Sequence, residues 1–385
     1  MVKKYKIGIV TFHRSHNCGS ILQAYATQSI LRRHDYEPEF IDFSTAGQKD
    51  LYSTLERLKF DTLSSFVKSI YRNCLRILII RRTIRNWRSY DKYILNNLQL
   101  SAKSYNANAE LIEDDMSYDK YLTGSDQVWN VTIADYDEAY FLNFVKKHPK
   151  IAYGVSQGAR DISKYSKDVE NVKSYISDID FISTREGNGQ KWLEALTGQK
   201  HALVLDPTLL LQSNDYAAIE EAHGLKGIEP DNYIFVYSKP LSREYMKIIS
   251  SFARHNGLKI VLWHSDVWVK KLGYFRGVKC PADQTPGKYL DLMKNAKFVC
   301  TSSFHGVVFS TIYHKNFVVL ENDGMRAGDD DRMTGFLGRV GLSSRIVDES
   351  TFATRMGEAV DYEEFGEKLK AEREESLKFL LTALG

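Results

Sequence analysis

The sequence predicts an α/β protein built on two parallel sheets, and three observations carry that prediction. Short continuous apolar runs alternate with stretches of helical periodicity along most of the chain, as in strands covered on both faces by crossover helices. The alternation falls into two blocks, before and after Asp206-Pro207. The third is size: 385 residues with 43% hydrophobic content more often form two cores than one. Two domains are therefore expected, residues 1–207 and 208–385.

In the first block "KIGIVTF" reads as a buried strand, "SILQAYATQSILRRHD" as a helix and "EPEFIDF" as the next strand, a β-loop-α-β unit of the parallel type. An insertion at about 46–115 interrupts it. Beyond that, "YDKYLTGS", "KIAYGVS", "DFISTRE" and "ALVLDP" are strand-like. The second block runs "NYIFVYS", a helix over "REYMKIISSFARHNG", "KIVLWHS", a helix over "GKYLDLMKNA", then "KFVCTS", "FHGVVFSTIYHK" and "NFVVLEN". A final helix, "YEEFGEKLKAEREESLKFLLTAL", is compatible with packing on either domain.

The 52 basic and 49 acidic side chains leave a net charge of +3, which gives no global electrostatic case for binding nucleic acid. Cys18, Cys74, Cys280 and Cys300 are far apart, so neither a disulfide framework nor a structural zinc site is suggested, and a reducing, cytoplasmic setting fits. The N-terminal apolar run is too short for a signal sequence, and no later stretch reaches the roughly 20 apolar residues of a membrane span. The insertion is the local exception in charge. Its centre holds Lys68, Arg72, Arg76, Arg81, Arg82, Arg85 and Arg88 among apolar residues. It reads either as a helical arm packed on its own domain or a second subunit with arginines in solvent, or as a basic amphipathic segment lying on an anionic membrane.

In parallel sheets ligands gather at the carboxyl ends of strands, and five polar clusters fall there. "HRSHNCGS" follows the first strand; Asn17, Gly19 and Ser20 either cap the helix in the ordinary way or offer an anion its first-turn N–H groups. "GSDQVWN" carries Ser125, Asp126, Gln127 and Asn130, whose amides suit sugar hydroxyls; Trp129 either packs beneath or supports a sugar face. Arg185 can fork onto a carboxylate or phosphate, or pair with Glu186 or an interdomain partner. Asp206 ends the next strand, and a structural role is expected for it. The fifth cluster, "TSSFHG", sets Thr301, Ser302 and Ser303 where a strand becomes a helix, with His305 in its first turn and Gly306 after it: an anion site with a histidine. Arg326 and Arg332 flank Asp329-Asp330-Asp331, a run without a regular metal-ligand pattern that reads as a solvated loop or helix cap. No metal site is expected.

Together "NCGSILQAYA", "GSDQVWN", "STREGNG", "LDPTLLL" and "PGKYLDLMKNAKFVCTSSFHGVVFSTIYHKNFVVL" resemble the polysaccharide pyruvyl transferase family, in family order over residues 5 to about 345. The basic insertion is not among the matched motifs. The resemblance implies two Rossmann-like domains facing a central cleft (GT-B-like), with a helical insertion in the N-terminal one. It implies transfer of pyruvate from phosphoenolpyruvate to two hydroxyls of a sugar, forming a ketal, 4,6-linked on a hexose such as galactose, and releasing phosphate, with no cofactor. By resemblance, His305 is the acid or base, or a donor to the leaving phosphate, and Arg185 clamps the donor. Ser302 and the helix start behind it cradle phosphate, with Arg332 as a further cation, while Asn17, Ser125, Asp126 and Gln127 face the same cleft from the acceptor side. Many relatives carry arginine where this chain has Ser303, which asks what replaces that charge. The partners implied are phosphoenolpyruvate and a sugar acceptor on a lipid carrier, met at the cytoplasmic face of the membrane. Two other functions share the architecture: a glycosyltransferase using a nucleotide sugar, and a glycan-binding relative without catalysis.

Overall fold

The computed structural model describes residues 4–385 apart from 54, 56, 57 and 59. Its first sheet contains β1 (Lys6–Val10), β2 (Glu37–Phe43), β3 (Leu100–Tyr105), β4 (Lys120–Gly124), β5 (Lys150–Val155), β6 (Phe181–Thr184) and β7 (Ala202–Leu203), in the order β3-β2-β1-β4-β5-β6-β7. The second contains β8 (Tyr233–Tyr237), β9 (Lys259–Leu262), β10 (Phe298–Thr301), β11 (Asn316–Leu320) and β12 (Ile346–Val347), in the order β12-β11-β10-β8-β9. Neighbouring strands pair in parallel throughout. Central strands such as β5 and β8 are buried at every position, which is why they read as unbroken apolar runs.

Every strand expected from the sequence is present, and two more appear. β3, "LSAKSY", lies inside the segment expected to be a helical insertion. It pairs only with β2 and leaves three residues exposed, so it lacks the apolar run of a central strand. β12 has two residues, too few for any periodicity.

The strand order reverses once in each sheet. In the first, β2 and β3 lie to one side of β1 and β4 to the other; in the second, β9 and β10 flank β8. Chains leaving two neighbouring strands towards opposite sides open a crevice at their carboxyl ends. One crevice therefore lies between the ends of β1 and β4, and one between those of β8 and β10.

Helix α1 (Cys18–Arg33) follows β1 and is capped by Asn17, whose side chain accepts from Gly19 N. It packs against the Pro286–Asn295 helix of the second block, and one hydrophobic cluster runs from Ile7 through Tyr233, Phe309 and Leu384. The two halves thus share a core as well as a cleft.

The insertion folds as α2 (Leu63–Leu78) and α3 (Ile80–Asn97), consecutive helices broken at Ile79. α3 buries Tyr90, Tyr93 and Ile94 and reaches the second half, where Tyr93 Oη donates to the Ile219 carbonyl at 2.9 Å. Arg82 donates to the carbonyls of Cys280 and Pro281 and lies 5.0 Å over the Trp268 ring. This arginine is therefore an interdomain contact, unlike the solvated position expected for the arm's cations. α2 differs: Leu63, Val67 and Tyr71 are exposed. All four cysteines are free thiols. Among the described residues, no helix is long and apolar enough to cross a membrane.

The C-terminal helix, Tyr362–Leu384, meets both halves. Tyr362 Oη donates to the carbonyls of Ser310 and Lys315 at one end. At the other, Ser376 Oγ accepts from Leu205 N and Phe379 packs against Tyr153.

Candidate active site

The two crevices face each other, and their loops meet at Gly19 and His305. Gly19 opens α1 beside β1, and His305 lies in the first turn of the Phe304–Ile312 helix, which follows β10. A Cβ on Gly19 would fall 2.5 Å from His305 Cγ and closer still to Nδ1, so only glycine lets the two helix starts approach this far.

Below this contact is a buried charge cluster drawn from four strand ends of the first sheet. Arg185, after β6, donates to Asp206 Oδ2 at 2.5 Å and to Ser125 Oγ at 3.2 Å, and stands 3.4 Å from Asp126 Oδ1. Ser125 donates to Asp206 at 2.9 Å, and Ser20 to Asp126 at 2.5 Å. His305 Nε2 comes from the other half to 3.7 Å from Asp206 Oδ2. Among the described residues, His305 Nε2 and Arg185 Nε have no hydrogen-bond partner although both are buried.

Asp206, for which the sequence suggested a structural role, is the hub of this network. Its other oxygen accepts from the Thr208 N–H and hydroxyl. Burial pushes its carboxyl up in pKa, but His305, Arg185 and Thr208 more than reverse this and leave it well below the ordinary carboxylate range. It stays ionised at physiological pH, which a buried carboxylate does only when paired and hydrogen-bonded. Only its place at a strand end and the sequence Asp-Pro mark it in the sequence; apart from Thr208, its partners lie 21 to 99 residues away.

Arg185 is thus ion-paired, with Asp206 of its own sheet in place of Glu186 or a partner from the other half. What it meets across the cleft is a ring: its guanidinium lies 4.7 Å over Phe304, so its charge rests against the residue next to Ser303. Arg332 is held by Asp330 in two parallel bonds of 2.8 and 2.6 Å. Glu186 and Asp126 lie within its electrostatic reach. The acidic run around it is an interdomain lock, in place of the solvated loop: Asp331 accepts from Asn188 N at 2.8 Å, and Asn188 Nδ2 donates to the carbonyls of Gly328 and Asp329. Arg326 is drawn off to Glu321 and Asp323. Among the described residues, no group of three or more metal-ligating side chains is placed to hold a metal ion.

The remaining candidates divide. Asn17, Ser20, Asp126 and Gln127 line one cavity of about 310 Å³ with Tyr52 and Asp135. Asn130 is turned inward, donating to Gln127 and accepting from Thr132, so it shapes the turn. Trp129 is fully buried, stacked on Phe141 with its Nε1 on the Tyr140 carbonyl; it packs beneath the loop and presents no face to a sugar. Ser302 shares a 2.9 Å hydrogen bond with Ser238 across the β8/β10 crevice. Ser303 caps the following helix without a side-chain bond. Gly306 fits tightly against Thr301, where a Cβ would collide with Oγ1.

Two acids do more than the sequence suggests: Glu186, which reads there only as a partner for Arg185, and Asp135, which no motif singles out. Glu186 Oε1 accepts from Ser156 Oγ, Gln157 N and Gly158 N, fixing the loop after β5. Burial pushes its carboxyl up in pKa. Asp135, in the 310 Å³ cavity, takes a hydrogen bond from Ser15, yet burial raises it to about 6.

A family model described as polysaccharide pyruvyl transferase matches residues 17–324. The solved structure of a UDP-N-acetylglucosamine 2-epimerase is similar over 99% of this chain and 95% of that chain, at 12% identity and a TM-score of 0.53. The UDP-GlcNAc 2-epimerase of Methanocaldococcus jannaschii is also 12% identical, over 96% of this chain and 99% of that chain, with a TM-score of 0.49. No curated protein sequence matches the chain. The likeness to solved structures is one of fold, two facing Rossmann-like halves of the GT-B-like type.

Proposed function

The chain belongs to the polysaccharide pyruvyl transferase family, and we propose from this that it moves the pyruvyl group of phosphoenolpyruvate onto two hydroxyls of one sugar, releasing phosphate. The observation that carries the reading is the convergence of His305 from one half on the Asp206–Arg185 pair of the other.

The chemistry needs a proton on the methylene carbon, which makes C2 electron-poor enough for a sugar hydroxyl to attack. That hydroxyl gives up its proton as its bond to C2 forms. The C2–O bond to phosphate then breaks, and the second hydroxyl closes the ketal, its proton leaving as phosphate departs. One proton ends on the methyl group and one with phosphate. His305, whose Nε2 stands 3.7 Å from Asp206 Oδ2, is assigned as the proton donor. Arg185 and Arg332 supply the positive field for the donor's carboxylate and phosphate, the charge that Ser303 does not provide, with Ser302 and the helix start behind it as hydrogen-bond donors. Asp126, held by Ser20, faces the acceptor side as the base. Each step uses side chains alone, so no cofactor or metal is assigned, and dialysis against EDTA leaves turnover unchanged.

A hexose such as galactose, ketalated at its 4- and 6-hydroxyls, is the proposed acceptor, on a lipid carrier at the cytoplasmic membrane face. Support for the location is a surface shared by the halves. Leu63, Val67 and Tyr71 of α2 and Leu272, Tyr274 and Phe275 of the second half are exposed. α2 packs against the Ser265–Lys270 helix, whose Trp268 meets Tyr274 edge to face. Residues 62–90 and 267–282 contain seven and four lysines or arginines and no carboxylate. Exposed apolar residues among cations suit an anionic bilayer.

The test is incubation of the purified protein with phosphoenolpyruvate and a panel of glycan acceptors. Phosphate release with a pyruvyl mass added to the glycan, lost in His305→Ala, is expected. Thermal stabilisation by a nucleotide sugar and none by phosphoenolpyruvate would overturn the reading in favour of glycosyl transfer. Sugar binding without phosphate release would leave a glycan-binding protein.

A further inference from the structure

Beside the His305 network lies a cavity of about 200 Å³ to which both halves and the insertion contribute. Of its aromatic walls only His16 falls in a polar cluster that the sequence singled out. On one side His16 stacks on Tyr90, with ring centroids 5.3 Å apart and planes 16° from parallel. Trp87 and Tyr52 both stand 5.6 Å from the same imidazole. Asp91 fixes that ring through a 3.0 Å contact with Nε2. Opposite, Tyr237 stacks on His264 at 5.1 Å, and Trp263 lines the floor.

Distance to the chemistry is short. Asn17 and Cys18 line the cavity and immediately precede Gly19, which touches the His305 ring. Tyr237 borders the cavity and stands behind Gly306. Outward, His16, Tyr52 and Trp87 also wall a second cavity of about 330 Å³ that reaches Arg14 and Asn106. Together the two spaces fall in the range of about 300–1,000 Å³ usual for small-molecule sites.

The lining also limits what fits. The first cavity is lined by rings, amides, one threonine and one cysteine, with no lysine or arginine, so it offers a phosphate or carboxylate no fixed cation. Asn86 and Gln284 lock the α3 wall to the second half through two hydrogen bonds, 3.0 and 2.9 Å. Burial and the neighbouring Lys239 charge bring His264 down to about 4, so at neutral pH its ring carries one donor and one acceptor, as a hydroxyl partner requires. The Trp87 indole is 44% exposed, leaving ring surface for the apolar C–H face of a sugar.

We propose that this cavity is the acceptor subsite, taking an uncharged hexopyranoside with Trp87 as its stacking platform and His16, Tyr52 and His264 around its hydroxyls. The insertion thereby selects the acceptor. This rests on the pyruvyl-transfer reading for the sugar's role, though the binding itself does not require it.

The experiment is saturation-transfer NMR with the methyl pyranosides of galactose, glucose, mannose and N-acetylglucosamine, run beside thermal shift with phosphoenolpyruvate. Ring-proton signals from at least one pyranoside are expected. They should fall at least tenfold in Trp87→Ala, recover in part in Trp87→Phe, and weaken in His264→Ala, while stabilisation by phosphoenolpyruvate stays as in the wild type. Wild-type signals in Trp87→Ala, or no signal from any of the four sugars, would overturn the subsite. A protein that binds pyranoside in a Trp87-dependent way but gains no stability from phosphoenolpyruvate would keep the subsite and overturn pyruvyl transfer.

Discussion

Gly19 and His305, from opposite halves of the chain, are in contact so close that no side chain fits between them. A substitution there separates catalysis from folding. Gly19→Ala adds one methyl group to the first turn of a helix, where alanine is otherwise favoured over glycine by roughly 1 kcal/mol, yet it must push the imidazole off Asp206. Phosphate release is expected to fall at least ~100-fold, the scale of a lost general acid, with a melting temperature within a few degrees of wild type. Full activity in Gly19→Ala would show that the ring position does not matter.

Asp206 holds both a buried arginine and the histidine. Asp206→Ala takes from Arg185 its 2.5 Å partner and leaves it Asp126 at 3.4 Å, a loss expected to cost about 3–5 kcal/mol in urea denaturation. Asp206→Asn keeps the shape and part of the hydrogen bonding, so it should cost less while still removing turnover. Both variants lack the charge, so equal losses would assign the whole cost to the lost ion pair, and no loss in Asp206→Asn would argue against charge pairing as the cause.

Asp135 predicts a pH dependence with a definite sign. Its folded pKa, about 6, lies above the ordinary value of 3.8, so folding favours the protonated acid. That contribution is fully present below the unfolded pKa and is lost as pH rises through the folded one, between about 4 and 6. Asp135→Asn is expected to be more stable than wild type at pH 7.5 by about 1–3 kcal/mol, and the difference should vanish near pH 3.5. A gap that is the same at both pH values would contradict this.

The basic apolar surface predicts co-sedimentation with vesicles containing anionic lipid, weakening as salt screens the charges. Arg81→Glu with Arg85→Glu, and separately Phe275→Ser, should each reduce it. Arg82 is left in place because it ties the halves together. Binding unaffected by either change would assign the surface to another partner.

The sequence displays the strands that are buried on both faces, because a short unbroken apolar run between turn residues is the mark of a covered strand. It hides β3, whose single neighbour leaves it half polar, and β12, which is too short. Strand-end loops likewise announce His305, Arg185, Asp126 and Ser20 by position. What cannot be seen there is pairing. Asp206 meets Ser125, Arg185 and His305 from 81, 21 and 99 residues away, separations that no local pattern encodes. Trp87 stands at the cleft because α3 crosses to the second half, a matter of tertiary path. Its neighbouring arginines draw attention in the sequence, and the indole beside them does not.

The helix Tyr362–Leu384 has a mechanical consequence. Twenty-three residues make a rod of about 35 Å, fastened near Ser310 at one end and near Leu205 and Tyr153 at the other. The covalent route between the halves is the chain from Leu203 to Tyr233. The rod therefore braces a joint that the shared core, the Asn86–Gln284 pair and the Asn188–Asp331 contact already close. Its stiffness opposes sliding of one half past the other, so trimming its last turns would loosen the registration of His305 on Asp206.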